Sequence, residues 1–314
     1  MAEHKHGLTS DYIDILGVET HIVKYGNIKA ANSTQEKRCL FLIIPGNPGI
    51  PEYYQQFMHT LWERSGERFP VWCVGHAGHV TGPGHPPLGW TDILRHPGDR
   101  YSLEGQICHK INFIEDNIPP DVKLVLIGHS IGCYMILNIL PHISQYHILR
   151  CFMLFPTIEQ MAKTPNGRIF TPALNYFRWI LVGMVKMMSY LGPKLHRRLV
   201  GAHFSVAAVP ECAVQASLNL FNPTCVNHCT FMAKIEMADV GELQEDLLKR
   251  YMDRMSFYYG AADKWCPKEY CYNMKARFPR ADIRLCDSDF SHAFVLDAGR
   301  EMAHVVWDWL QGHL

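Results

Sequence analysis

The stretch that most constrains the fold is VKLVLIGHSIGCYMILNIL, residues 122–140. A short, nearly continuous apolar run that ends at a glycine is typical of a strand buried on both faces of a sheet. The residues after the second glycine continue as a helix-like apolar segment. Between the two, Gly128 and Gly132 flank Ser130, and because they lack a Cβ they permit a sharp turn from strand to helix. The stretch therefore predicts a strand–turn–helix unit, as found in mainly parallel sheets.

Strand-like and helix-like segments alternate along most of the chain. Two strands joined at Gly17 predict an antiparallel opening, and buried strands are predicted at CLFLIIPG, VWCVGH, RCFMLFP, RMSFYYG and ADIRLC. The alternation stops between residues 157 and 235, which are rich in aromatic residues and methionine. We predict an α/β fold whose mainly parallel sheet, flanked by helices, comprises residues 1–156 and 236–314. Residues 157–235 are predicted to form an inserted apolar helical cap.

Composition excludes several classes of partner. Thirty basic and thirty acidic residues give a formal net charge of zero, so no overall field favours nucleic acid. The N-terminal sequence lacks the apolar run of a signal peptide, and we expect the 11 cysteines to be reduced thiols. The cluster at Cys225, His228 and Cys229 has no second ligand pair at zinc spacing. No glycine-rich phosphate loop follows a strand, so we expect neither a metal nor a cofactor.

Three residues on separate predicted loops form a candidate catalytic set. Ser130 follows one buried strand, Asp263 follows RMSFYYG, and His292 follows ADIRLC. The carboxyl ends of parallel strands lie at one edge of a sheet, so these loops are expected to meet. The order serine, acid, histidine is that of hydrolases with a serine in a strand-to-helix turn. We predict that Ser130 is a nucleophile, His292 its base and Asp263 the acid that orients His292.

Other interpretations of these residues stay open. Ser130 can be an ordinary residue of a turn, and Asp263 can cap the helix that starts near Pro267. The alternative acids are Asp287, Asp289 and Glu159. His129 is expected to pack on the far side of the turn, whereas His76 and His79 are candidates for lining a pocket over the site.

Acyl transfer through a serine also needs two donors for the developing oxyanion. The backbone N–H of Ile131, directly after the serine, is the first candidate. The second is expected from the loop after CLFLIIPG, which reads Pro45-Gly46-Asn47-Pro48-Gly49. Pro48 has no N–H, so we predict the N–H of Asn47.

The motifs as a set resemble one family. IIPGNPGIPEYY, the CVGHAGH loop, LIGHSIGCYM, YYGAADKWCP and DFSHAF occur in this order and together resemble the lipid droplet-associated hydrolases, within the α/β-hydrolase superfamily. The resemblance covers nearly the whole chain and implies Ser130, Asp263 and His292 as the triad. It also implies turnover of sterol esters and neutral lipids, at lipid droplets and the cytosolic face of the endoplasmic reticulum. Pro45 departs from the wider superfamily, in which many members carry histidine before the oxyanion loop.

The cap contains a long apolar segment with two cations. Residues 171–190 would form a helix of about 30 Å, but Arg178 and Lys186 within it argue against a simple membrane span. These cations share a narrow polar stripe of about 80°, at about 100° per residue. Such a helix can lie in a phospholipid monolayer with its cations reaching the headgroups. The predicted lipid-surface residues are Arg178, Trp179, Lys186, Lys194, Arg197 and Arg198.

A second interpretation of this helix is that its apolar side covers a pocket, and both interpretations can hold together. The function expected from the sequence is hydrolysis of lipid carboxylic esters by a serine enzyme without a cofactor. The alternatives are a droplet surface protein that acts mainly in binding or storage, and a soluble thioesterase or small-ester hydrolase.

Overall fold

A single eight-stranded sheet forms the centre of the molecule. The computed structural model describes residues 7–28, 38–82, 88–191, 198, 209–286, 288 and 290–312. The strands are β1 (Leu8–Ile15), β2 (Val18–Tyr25), β3 (Cys39–Ile44), β4 (Val71–Val74), β5 (Lys123–His129), β6 (Ile148–Leu154), β7 (Met255–Tyr259) and β8 (Asp282–Leu285). Their order across the sheet is β1-β2-β4-β3-β5-β6-β7-β8.

The sheet is antiparallel at one end and parallel over the rest. Strands β1 and β2 form a hairpin, and β2 pairs antiparallel with β4. From β4 through β8 every neighbouring pair is parallel. The carboxyl ends of β3, β5, β7 and β8 therefore lie at one edge of the sheet, where loops from distant parts of the chain meet. The prediction of a mainly parallel α/β sheet with an antiparallel opening is confirmed.

Helices connect and cover the strands. They are α1 (Gln55–Arg64), α2 (Leu103–Asn117), α3 (Ile131–Ile139), α4 (Pro165–Ser189), α5 (Glu211–Leu220), α6 (Pro223–Asp239), α7 (Glu245–Tyr251), α8 (Lys268–Arg277) and α9 (Gly299–Leu310). Ser102 caps α2, because its hydroxyl accepts from the N–H of Gly105. The last helix begins at Gly299, after a separate 3-10 turn at Phe294–Leu296.

The core lies between the sheet and the helices on it. Every residue of β3 is buried, as expected for a strand covered on both faces. The rings of Trp307 and Trp309 on α9 lie against Phe41 of β3 and Phe152 of β6, with centroid separations of 6.4 Å and 5.6 Å. Contacts of this kind hold the central strands in place, and the loops at their carboxyl ends with them.

Helices α4, α5 and α6 occur between β6 and β7, where the alternation of the sequence stops. Helix α4 begins at Pro165, earlier than the residue 171 expected, because the hydroxyl of Thr164 accepts from the N–H of Gly167 and caps it. Helices α4 and α6 pack against each other. Their place in the chain agrees with an inserted segment, and the division at residues 157 and 235 stays a prediction.

Candidate active site

Ser130 lies in the turn between β5 and α3 with a backbone that side chains rarely adopt. Its φ of 53° and ψ of −123° lie outside the regions favoured by L-residues. A Cβ on Gly132 would collide with the carbonyl oxygen of Ile44, and one on Gly128 would lie 2.9 Å from the backbone of Cys133. Both glycines are therefore required by close backbone approach, as the sequence predicted.

The turn brings Ser130 together with the two partners expected for it. The Ser130 hydroxyl lies 2.9 Å from His292 Nε2 and can donate to it. His292 Nδ1 donates to Asp263 Oδ2 at 2.6 Å. A hydroxyl held in this way can lose its proton to the imidazole as it attacks an electrophile, and the carboxylate fixes the tautomer that this requires.

Asp263 is held as a carboxylate by several donors. Its Oδ1 accepts from the N–H groups of Trp265 and Cys266 at 2.6 Å and 3.2 Å, and its Oδ2 accepts from the Cys266 thiol at 3.0 Å. Burial favours the neutral acid, but hydrogen bonds from His292, Cys266 and Trp265 outweigh it and lower the pKa of Asp263 below its usual value. Asp263 thus orders the turn before α8 and also faces His292, but it does not cap that helix, whose N-cap is Pro267.

The alternative acids do not occupy this position in the described residues. Glu159 is buried, and its Oε1 has no hydrogen-bond partner within the described residues. Asp287 and Asp289 lie outside the residues that the structure describes.

Of the two residues predicted to donate to the oxyanion, Ile131 directly follows Ser130 and Asn47 lines the same cavity as Ser130. Ile131 is the first residue of α3, and the N–H of a first helical residue has no intrahelical acceptor. In the loop after β3, the N–H of Gly46 donates to the Tyr54 hydroxyl at 2.8 Å. The N–H of Asn47 has no hydrogen-bond partner among the described residues. Within the described ranges of the chain, these two N–H groups thus have no protein acceptor, and their role stays a prediction.

His129 contributes a link that the sequence did not reveal. It packs against Phe155 and Phe294, as expected, but its ring nitrogens also complete a polar chain. The Tyr54 hydroxyl donates to His129 Nδ1 at 2.6 Å, and His129 Nε2 donates to the carbonyl of His292 at 2.8 Å. Burial lowers the pKa of His129 to about 3, so the ring is neutral at physiological pH.

His76 and His79 are not on the wall of the cavity described below, and the prediction that they line a pocket is wrong. Both are buried, with their rings 5.2 Å apart in an edge-to-face contact. His79 Nδ1 accepts from the N–H of Gly49 at 2.9 Å, and the N–H of His76 donates to the Gly49 carbonyl at 3.0 Å. They support the loop after β3 because its backbone groups need partners there.

Ser130 and His292 open into a cavity between α4 and α6. It has a volume of about 580 Å³. Its apolar wall comprises Met161, Phe170, Leu174, Phe177, Ile180, Leu181, Met184, Val185, Leu220, Phe221, Val226, Met237 and Trp265. The polar side chains on this wall include Asn47, Arg178, Thr230 and Glu236. An apolar cavity with few polar groups suits the acyl chain of a lipid better than a polar substrate.

Two of the predicted lipid-surface cations turn into the protein, which corrects the expectation for them. Arg178 Nη1 donates to Asn227 Oδ1 at 2.5 Å, and burial lowers the pKa of this guanidinium. Lys186 is only 6% exposed, donates to the carbonyl of Leu88, and lies 5.3 Å from the ring centroid of Trp90. The polar stripe of α4 faces α6 and the segment at 88–90, so these cations do not reach outward.

The apolar side of α4 faces outward instead. We define the outer face of α4 as its exposed apolar residues Ile169, Phe170, Tyr176, Phe177, Trp179, Ile180, Leu181, Met184 and Met187. Trp179 and Arg198 are exposed as predicted, and Lys194 and Arg197 lie outside the described residues. Exposed apolar area of this extent on one helix is typical of a surface that contacts another apolar phase.

None of the helices in the described part of the chain combines the length and hydropathy that a membrane span requires.

Two side chains of the Cys225–Cys229 cluster are engaged with backbone carbonyls. Cys225 donates to the carbonyl of His79, and His228 Nδ1 donates to the carbonyl of Gly78 at 3.0 Å. The ligand atoms of Asp263, Cys266 and His292 lie within 4.8 Å of one another, as the hydrogen bonds among them require. The expectation that the protein needs no metal or cofactor stays a prediction.

Solved structures of several enzymes share this architecture. They include a bacterial membrane phospholipase A, with a TM-score of 0.64 and 15% identity over 98% of this chain and 87% of its own. An esterase from Exiguobacterium antarcticum has a TM-score of 0.60 at 15% identity, covering 96% of this chain and 100% of its own. The haloalkane dehalogenase of Bradyrhizobium elkani has a TM-score of 0.63 at 10% identity, covering 97% and 98%. At this identity they establish the fold alone, which is the α/β-hydrolase fold.

Sequence relatives are much closer. The family model described as lipid-droplet associated hydrolase matches residues 37–295. A lipid droplet-associated hydrolase of Gallus gallus is 40% identical over 321 residues, covering 100% of this chain and 98% of its own length. The Homo sapiens protein of that name is 36% identical, covering 95% and 93%, and that of Drosophila melanogaster is 35% identical, covering 96% and 98%. The chain therefore belongs to the lipid droplet-associated hydrolase family.

Proposed function

We propose that this protein is a serine hydrolase that cleaves carboxylic esters of lipids at the surface of lipid droplets. The observation that carries the proposal is the hydrogen-bond chain from Ser130 through His292 to Asp263, which opens into an apolar cavity. Relatives that cover 100% and 95% of the chain are named lipid droplet-associated hydrolases, which supports both the reaction class and the location.

The reaction proceeds through an acyl-enzyme. Ser130 Oγ attacks the ester carbonyl while His292 Nε2 takes its proton, and Asp263 stabilises the imidazolium. The N–H groups of Asn47 and Ile131 bind the oxyanion of the tetrahedral intermediate. Collapse of the intermediate expels the alcohol, which receives the proton from His292. Water, deprotonated by His292, then attacks the acyl-enzyme and releases the fatty acid and free Ser130.

The cavity supports a long-chain substrate. Burial of each methylene contributes about 0.8 kcal/mol relative to water, so an apolar cavity favours acyl chains over small polar esters. The resemblance to the family favours sterol esters and other neutral lipids as the substrates. The outer face of α4 supports contact with a phospholipid monolayer, on droplets and on the cytosolic face of the endoplasmic reticulum. Such a face disfavours the alternative of a soluble thioesterase or small-ester hydrolase.

A fluorophosphonate probe tests the reaction directly. It should label the wild-type protein at Ser130, and Ser130→Ala should lose the label while it keeps the melting temperature of the wild type within a few degrees. A screen of sterol esters, acylglycerols and phospholipids, presented on droplets, then measures which ester is hydrolysed. Absence of both labelling and hydrolysis in the wild type would exclude the enzyme and leave the alternative of a droplet protein that acts in binding or storage.

A further inference from the structure

Helix α6 brings a buried acid against the loop that carries a predicted oxyanion donor. Glu236 is 3% exposed and lies on the wall of the cavity that contains Ser130. Its Oε1 accepts a hydrogen bond from Asn47 Nδ2 at 2.9 Å. The catalytic sequence proposed above uses the backbone of Asn47 but gives no task to Glu236.

The same helix binds the Asn47 amide twice. Asn47 Nδ2 also donates to the carbonyl of Cys229 at 2.9 Å. In α6 the carbonyl of Cys229 points toward the C-terminus of the helix, and the side chain of Glu236 leans toward its N-terminus. The two groups can therefore reach the same Asn47 amide although they belong to different turns. Both amide protons of Asn47 thereby have acceptors, and α6 holds the side chain at its amide group.

Burial of Glu236 destabilises the folded protein. The contact with Asn47 is the feature of the structure that accounts for an acid at this position. Burial raises the pKa of Glu236 to about 7, and the hydrogen bond from Asn47 only partly opposes this. An apolar side chain of similar size would avoid that cost in a cavity whose wall is mostly apolar. A leucine, however, would leave one Asn47 amide proton without an acceptor.

We propose that Glu236 is a positioning residue, which holds Asn47 so that its backbone N–H faces the oxyanion formed at Ser130. The inserted helix α6 thereby completes an oxyanion hole whose donors belong to the loops of the sheet. The proposal rests on the hydrolytic function proposed above. Its consequence is that the segment between β6 and β7 takes part in the chemical step and not only in covering the substrate.

Three variants test the hydrogen bond and separate it from charge. Glu236→Leu removes the acceptor, Glu236→Gln keeps an oxygen acceptor without the charge, and Asn47→Ala keeps the backbone N–H but removes the amide. Misplacing an oxyanion donor affects the transition state more than the ground state, so Glu236→Leu and Asn47→Ala should lower kcat about 10- to 100-fold. KM should change by less than about threefold, and Glu236→Gln should keep kcat within about threefold of the wild type.

The double variant Glu236→Leu with Asn47→Ala should lose no more activity than Asn47→Ala alone, because Asn47→Ala already removes the contact with Glu236. Tyr146→Phe is the matched control for loss of a buried hydrogen bond, because the Tyr146 hydroxyl donates to Ile114 and Ile118 far from the cavity. It should lower the melting temperature and leave kcat unchanged.

The rate of fluorophosphonate labelling gives a second readout. If the wild-type protein is not labelled by the probe and hydrolyses no ester, the proposed hydrolytic function itself is refuted. If the wild type is active and Asn47→Ala keeps the full kcat, only the positioning role of Glu236 is refuted. The same conclusion follows if Glu236→Gln and Glu236→Leu lose kcat equally. If Glu236→Leu does not fold, the kcat values of Asn47→Ala and Glu236→Gln still test the positioning role of Glu236.

Discussion

At the scale of single residues, the Tyr54 hydroxyl joins three loops around Ser130. It accepts from the N–H of Gly46 and donates to His129, whose other ring nitrogen donates to the carbonyl of His292. Burial raises the pKa of Tyr54 well above its usual value, so the phenol remains a donor at every physiological pH. The loop after β3, the turn at Ser130 and the loop of His292 are thus connected by three hydrogen bonds in series.

Removal of this hydroxyl should affect both stability and rate. Tyr54→Phe leaves the N–H of Gly46 and Nδ1 of His129 without their partner, and each unpaired buried group costs about 1–3 kcal/mol. We expect kcat to fall about tenfold because the loops on either side of Ser130 are no longer aligned. Urea unfolding and ester hydrolysis measure the two effects.

Tyr53→Phe is the control for Tyr54→Phe. The Tyr53 hydroxyl is also buried, but it bonds to Ser217 of α5 at 2.9 Å and not to the serine turn. It should lower stability and leave kcat unchanged. Equal loss of kcat in both variants would show that the effect of Tyr54 is not specific to its chain of hydrogen bonds.

The sequence predicts the three charged or nucleophilic residues better than the residues that support them. Ser130, Asp263 and His292 follow strands whose ends must meet, so topology alone brings them together. Tyr54 and His129 are separated by 75 residues in the chain, and nothing in their local patterns indicates a mutual contact. Glu236 was equally hidden, because a polar residue in an apolar helix does not reveal which loop it faces.

At the scale of elements, α4 shows what a helical pattern can and cannot predict. Its polar stripe and its apolar side are where the sequence indicated. The pattern does not say which side faces outward, because that depends on the partners available. Asn227 on α6 and the carbonyl of Leu88 accept from Arg178 and Lys186, so the cations face inward and the apolar side is exposed.

This orientation leads to a prediction for lipid binding. Trp179 and Met187 are 53% and 60% exposed on the outer face of α4 and are not on the cavity wall. The double variant Trp179→Glu with Met187→Glu should weaken binding to phospholipid-coated triolein droplets at least about tenfold, because it removes apolar area and adds charge. Flotation of the protein with the droplets measures the bound fraction.

Two variants control for charge and for surface position. Tyr272→Glu makes the same kind of change at an exposed aromatic residue on α8 and should leave flotation unchanged. Lys186→Met should also leave flotation unchanged, since Lys186 is buried. A loss of binding in Lys186→Met that depends on salt would instead favour the original expectation of cations at the headgroups.

At the scale of the whole molecule, the sequence predicts the strands but not their order. Apolar runs and breaks identify the eight strands of the described residues, and the pattern is clearest for β3–β7, whose residues are almost all buried. That β4 lies between β2 and β3 is a matter of pairing, for which no local signal exists. The 3-10 turn at Phe294–Leu296, before α9, has no local signal for a related reason, since Phe294 packs against Phe57 and His129 from distant parts of the chain.

Lys110 makes the stability of the molecule depend on pH. It is fully buried on α2, where its Nζ donates to the carbonyl of Gly75 at 2.8 Å, and burial lowers its pKa to about 7. In the unfolded chain lysine has a pKa of about 10.4, so between these values the unfolded state binds more protons. Stability from this group therefore rises with pH from about 7 to about 10 and is lowest below pH 7.

Lys110→Met should stabilise the protein by about 2 kcal/mol at pH 7, after allowance for the unpaired carbonyl of Gly75. The gain should shrink as the pH approaches 10, because the lysine of the unfolded wild type then also loses its proton and folding no longer has to remove it. Urea unfolding of both proteins at pH 7 and pH 9.5 measures the difference. A gain that is equal at both values would mean that Lys110 is not neutralised on folding.

Phe177, Ile180, Leu181 and Met184 lie on the cavity wall and are also exposed on the outer face of α4, so a wall one side chain thick separates the two. A lipid that enters through this wall from an oil phase exchanges one hydrocarbon environment for another. Its transfer then gains almost none of the about 0.8 kcal/mol per methylene that entry from water would provide. Discrimination among lipids in the oil must therefore come from shape and from the few polar groups on the wall, and not from chain hydrophobicity.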